Sequence, residues 1–315
     1  MANTRTTANP PPSSRNPATQ TRNPARAPGA SSSRAERPTT SQPRPAQATP
    51  PTAGGNAPVV RDYRKLYPWA TLTLLRETSS ITTELGVHRL RKGDQSELSF
   101  HKEHDSKAGV LPCLSDEPVC ADEKANNGEL FCFIYSTVFK KVKLRLSFTR
   151  FERELLTELD IAPAQLHPNS WAFIRAYQIL CSHLGLPASV DVFLFLFEAK
   201  NPGDRLWISL NGIAGRSIFT IFQQSYKDWK GKFVKVRATE QDPTLLDGFP
   251  LYWVHKGDQY AKECFRRPRS PDTMGALDRD LCHYWHRVAA ANTTFPTPAI
   301  IAHEYLKDQL EAHIG

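Results

Sequence analysis

The chain has 315 residues, 40% of them hydrophobic and 23% charged, with a formal net charge of +8. That is enough apolar material for one ordinary domain plus tails. Six cysteines (Cys113, Cys120, Cys132, Cys181, Cys264 and Cys282) are too sparse for a disulfide-stapled secreted scaffold, and no apolar run nears the roughly 20 residues of a membrane-spanning helix.

Residues 1–60 are a Pro/Arg-rich tail. They hold twelve of the 25 prolines and no aromatic residue. Arg5, Arg15, Arg22, Arg26, Arg34, Arg37 and Arg44 stand against Glu36 alone, so +6 of the +8 lies in this stretch. Such a composition cannot bury enough apolar surface to offset its ordering entropy, which predicts disorder. Dispersed arginines can contact the phosphates of RNA or DNA without reading sequence, or serve solubility alone. Neither an apolar leader nor a disulfide pattern is evident, so the expectation is an intracellular chain, in nucleus or cytoplasm, not secreted.

Residues 61–128 are a partly ordered lead-in. Tyr63, Leu66, Tyr67 and Trp69 open the first apolar cluster. His101 and His104 have a spacing that a helix could turn toward one metal, but no third ligand stands near them, so no metal is assigned.

A globular domain is expected over 129–257. The run 130–135 (Leu-Phe-Cys-Phe-Ile-Tyr) fits a buried strand or a helix start, and periodicity does not separate the two. Lys140, Lys141, Lys143 and Arg145 alternate with apolar residues and read as a solvated face. Thr149 with Glu152 three residues on is a capping box, and Phe151, Leu155, Leu156 and Leu159 then mark one helical face. The acidic residues of that helix read as its solvated side. A longer helix follows, capped by Asn169 or Ser170 and closed by Gly185 and Pro187. The apolar run 192–197 is read as a second, sandwiched helix carried on by Glu198 and Lys200, with a central strand as the alternative.

Beyond the turn at 201–204 the pattern becomes strand-like, at 206–210, 218–222, 229–237 and 250–254. Lys227, Lys230, Lys232, Lys235 and Arg237 interleave with Tyr226, Trp229 and Phe233. Cations alternating with stacking rings are the chemistry of single-strand binding, so Trp229 and these cations are the folded candidates for nucleic-acid contact. A sheet with a soluble outer face gives the same alternation. Residues 258–315 form a helical C-terminal extension, with helices expected over 277–290 and 299–313. Cys282, His283 and His286 share one turn without a fourth ligand.

The expected fold is therefore α+β: a helical core, a small antiparallel sheet, C-terminal helices and a disordered N-terminal tail. No phosphate-cradling glycine loop, nucleophile elbow, zinc knuckle or Asp-Thr-Gly motif occurs in the sequence, and no cofactor or catalytic residue is assigned.

The segment 131–254 resembles the gypsy-type transposon domain family of plants, abundant in legumes. The matching pieces are Phe-Thr-Arg-Phe-Glu-Arg-Glu at 148–154, Ala-Pro-Ala-Gln-Leu-His-Pro-Asn-Ser-Trp-Ala-Phe at 162–173, 193–197, 206–209, 231–237 and 242–250. The resemblance implies a retroelement origin on the Gag side and supplies no catalytic residue. Together with the arginine tail, the α+β body and the absence of a catalytic constellation, this points to a non-enzymatic protein associated with nucleic acid or with assembly, including self-association. The alternatives are a metal-dependent transposase or integrase built on carboxylates such as Asp191, Glu198, Asp204, Asp242 and Asp247, or a host-acquired interaction module.

Overall fold

The computed structural model describes residues 61–92, 99–100, 108–200, 207–219, 226–240, 242–253, 269–291, 295, 297–298 and 300–302. The arginine tail, His101 and His104, Asp204, Cys264 and most of the expected helix at 299–313 lie outside them.

The lead-in forms α1 (Tyr63–Leu66), α2 (Leu72–Leu75) and α3 (Glu84–Lys92), then β1 (Ser99–Phe100) and β2 (Gly109–Leu111). The run 130–135 is a strand, β3 (Cys132–Tyr135), and every residue of it is buried. It leads directly into α4 (Ser136–Val142) and β4 (Arg145–Leu146). Lys140 and Lys141 therefore occupy a helix end rather than an alternating strand, and Lys143 caps that helix in a left-handed conformation.

α5 (Arg150–Leu159) begins with the expected capping box. Thr149 Oγ1 accepts from the Glu152 N–H at 3.2 Å, and Glu152 Oε2 accepts from the Thr149 N–H at 2.8 Å. Its predicted face, Phe151, Leu155, Leu156 and Leu159, is the buried one. α6 (Pro168–His183) carries proline in its first turn, where the missing N–H costs nothing. Its cap is His167, whose Nδ1 accepts from the Asn169 N–H at 3.0 Å, in place of the expected Asn169 or Ser170. Gly185 stands just beyond with φ 65°, as a helix-ending glycine requires.

α7 (Val190–Leu196) is the expected sandwiched helix, with 192–196 all buried. It stops earlier than helix propensity suggests. Glu198 and Lys200 belong to β5 (Phe197–Lys200), which pairs antiparallel with β6 (Ser209–Gly212). Ladder pairing outweighs the small helix preference of these residues.

β7 (Phe233–Arg237) is the centre of a three-stranded antiparallel sheet, between β2 and β3. Lys235 is registered with Leu111 on one side and Phe133 on the other. The sheet thus joins a lead-in strand to the strand that opens the helical core. The stretch 250–253 is not a strand, and 218–219 contributes a single bridge, Phe219 to Phe295. α8 (Ala276–Ala290) buries Leu281, Cys282 and Trp285 and packs on α7.

The core is aromatic. Phe193 stacks on Phe197 at 4.6 Å, and Phe148 stacks on Trp171 at 5.7 Å. The described cysteines are free and buried. Burial pushes the Cys181 thiol up to about 11 and the Cys120 thiol up to about 12, so both are inert packing groups. Among the described residues no helix is long and apolar enough to cross a membrane.

Candidate nucleic-acid interface

The turn that feeds β7 is fixed from below. Asp228 and Gly231 take left-handed backbone conformations, φ 56° and 65°. A Cβ on Gly231 would come within 3.2 Å of the Thr78 carbonyl oxygen, so the close approach there suits glycine. Ser80 donates to the Gly231 carbonyl from both its N–H (2.8 Å) and its hydroxyl (2.9 Å). The Ser136 N–H donates to the Lys232 carbonyl at 2.8 Å, and the Tyr226 N–H to Asn169 Oδ1 at 3.1 Å.

The rings of this turn face inward. Trp229 is only 5% exposed. Its indole meets Tyr135 edge-on at 4.5 Å, His167 at 5.2 Å and Trp207 at 5.5 Å. Phe233 is buried, and Tyr226 packs against the core. Lys235 is 8% exposed, and its ammonium lies 2.8 Å from Glu117 Oε1 and 2.5 Å from Asn126 Oδ1.

Of the six folded candidates, Trp229 and Lys235 are thus structural in placement. Lys227, Lys230 and Lys232 are exposed together on the turn, and Arg237 is exposed at the far end of β7. Lys230 is partly organised: its ammonium sits 4.0 Å above the Trp207 ring and 5.8 Å from that of Trp229, in reach of a cation–π attraction.

Beneath this surface is a polar cluster that the sequence did not reveal. Tyr135 donates its hydroxyl to Glu77 Oε1 at 2.7 Å, and Trp207 Nε1 donates to the Tyr135 oxygen at 3.4 Å. Burial raises the Glu77 carboxyl above its ordinary range, while the Tyr135 hydrogen bond and the Lys230 charge pull the other way. Burial, with the Lys230 charge adding to it, lowers His167 to about 4, so its ring is neutral at pH 7. No local motif joins Glu77, Tyr135 and His167; three distant elements bring them together.

Of the carboxylates considered for metal chemistry, Asp191, Glu198 and Asp242 are held by other groups. Asp191 pairs with Arg269 at 3.3 Å, and Glu198 with Lys200 at 2.5 Å. Asp242 accepts from Ser147 at 3.2 Å and from Thr244 at 3.1 Å. Asp247 lines a cleft of about 630 Å³ with Glu154, Glu158 and Asp191. Arginines offset part of that charge: Arg150 bonds Glu154 at 2.6 Å, and Arg269 also pairs with Glu158. Among the described residues, no three His, Cys, Asp or Glu side chains are grouped to hold a metal, and Cys282, His283 and His286 are no exception.

No curated protein and no solved structure matches the chain. Residues 133–201, running from β3 through α4, α5, α6 and α7 to the end of β5, match the family model described as "Putative gypsy type transposon", so this helical core is a gypsy-type transposon-related domain.

Proposed function

We propose that this chain serves a gypsy-type element as a non-enzymatic, Gag-side protein that associates with RNA or DNA in the nucleus or cytoplasm. The observation that carries the reading is the turn at 226–232, where Lys227, Lys230 and Lys232 reach solvent from a backbone pinned by Ser80, Ser136 and Asn169. A rigid, cationic turn presents charge to phosphates at little ordering cost. The seven tail arginines add a second, diffuse polycation. A transposase or integrase reading is disfavoured because Arg150 and Arg269 already pair with Glu154, Glu158 and Asp191, three of the four carboxylates lining the cleft that also holds Asp247.

The test is a salt titration of RNA and DNA binding by the full chain, beside a variant with all seven tail arginines changed to glutamine. The logarithm of affinity should fall steeply with the logarithm of salt concentration. The variant should flatten that slope by up to about 6 for duplex and about 5 for single strands, if every arginine meets a phosphate. Salt-independent binding, or none at 50 mM salt, would sink the reading.

A further inference from the structure

We infer that the folded interface recognises phosphate alone, so that it takes duplex and single-stranded nucleic acid without distinction. This rests on the nucleic-acid role proposed above and names what that surface reads. Proteins that prefer single strands do so with exposed rings on which unpaired bases stack. The alternation of cations and rings at 226–237 has the composition of such a platform but not its geometry.

Each ring in the stretch is spent on the fold. Trp229 is enclosed by Tyr135, His167 and Trp207, Phe233 lies in the central strand, and Tyr226 packs on the core. Trp207 is itself buried, and its face is covered by the Lys230 ammonium at 4.0 Å. A base would have to displace that cation and open the ring cluster to stack. What remains outside is charge: Lys227, Lys230 and Lys232 on the turn, where Asp228 offsets one of them, and Arg237 at the far end of β7.

Lysine ammoniums are compact point charges without the planar fork of arginine, so they meet a phosphate on any backbone equally well. Lys230 need not leave its indole to do so, because a cation held over a ring by one side of its ammonium keeps other N–H donors free.

The experiment uses the full chain and the variant Lys227→Gln, Lys230→Gln, Lys232→Gln. Binding of 20-mer RNA, 20-mer single-stranded DNA and 20-base-pair DNA is followed by fluorescence anisotropy from 50 to 200 mM salt. Near-UV circular dichroism confirms that the aromatic cluster is intact. The expected result is weaker binding of all three ligands. The salt slope should drop by about 2.7 for the duplex and about 2.1 for the single strands, the values for three phosphates.

A loss confined to the single strands, with duplex binding unchanged, would overturn the inference, because bases would then be read at this turn. An unchanged slope for every ligand would also overturn it while leaving the proposed function standing on the tail. Failure of the unmodified chain to bind any of the three at 50 mM salt would remove the proposed function itself.

Discussion

The Lys235 ammonium lies 2.8 Å from Glu117 Oε1, with both side chains inside the protein at the middle strand of the sheet. The carboxylate is fully satisfied. Oε1 also accepts from Asn126 Nδ2 at 2.8 Å, and Oε2 accepts from the Leu114 N–H at 3.0 Å. The pair therefore ties the loop 114–126 to β7. Removing one partner of a buried ion pair leaves an uncompensated charge and costs about 3–5 kcal/mol.

Lys235→Met keeps the length and apolar stem of the side chain and deletes the charge. It should lower the urea midpoint by an amount matching that cost, with no change in salt slope for nucleic-acid binding. The double change Lys235→Met, Glu117→Gln should recover part of the loss, since it removes the uncompensated charge and leaves the amide oxygen to accept from the Leu114 N–H. Lys235→Met with unaltered stability, or with a reduced salt slope, would refute the structural assignment of this lysine.

The neutral ring of His167 makes a second prediction, about pH. His167 Nδ1 must stay unprotonated to accept from the Asn169 N–H at the head of α6, and the ring lies against Trp229. Lys230, on the turn above, opposes a positive charge there. The ring's folded-state value, lowered from 6.5 to about 4, sets the sign. The unfolded chain takes up the proton first, so stability is lost as pH falls from 6.5 through about 4.

The loss approaches about 3 kcal/mol at the lower end. Glu77 acts oppositely: with its carboxyl raised, its contribution is full below the unfolded value and fades as pH rises through the folded one. His167→Asn retains a good helix cap and removes the titration. Urea melts from pH 7 to pH 4 should show the unmodified chain losing stability on acidification and the variant losing much less. Parallel curves would refute the role of His167, whatever constant offset the lost ring contact brings.

These two sites also mark where the sequence stopped being legible. Capping residues, the α5 face and the helix-ending Gly185 are local signals, and the structure realises them within a residue or two. The end of α7 was not legible, because Glu198 and Lys200 pair with a strand, β6, whose presence their own propensities do not encode. Lys235 read as the outer face of a half-exposed strand. Its counter-charge, Glu117, lies far upstream and is invisible to any period of two. The lysines of the candidate interface could be picked out by composition. The inward direction of Trp229 could not, since its pocket is assembled from Tyr135, His167 and Trp207 on separate elements.

The cap of α5 carries a third prediction, because it supports more than its own helix. Thr149 Oγ1 accepts from the Glu152 N–H at 3.2 Å and from Gln178 Nε2 of α6 at 2.7 Å. Glu152 is buried, and its return bond to the Thr149 N–H holds a carboxyl that burial pushes upward. Thr149→Ala deletes one acceptor and strands two donors, one of them on a neighbouring helix. Loss of an N-cap alone costs about 1 kcal/mol, and losing the second bond, from the half-buried Gln178, adds about 1 kcal/mol. Thr149→Ser keeps the hydroxyl and should lie close to the unmodified chain. Urea unfolding of the two variants separates these contributions: Thr149→Ala should lose about 2 kcal/mol, more than a cap alone explains. If the alanine variant loses no more than a cap is worth, the hydroxyl is not shared between α5 and α6, and the two helices are held together by apolar packing alone.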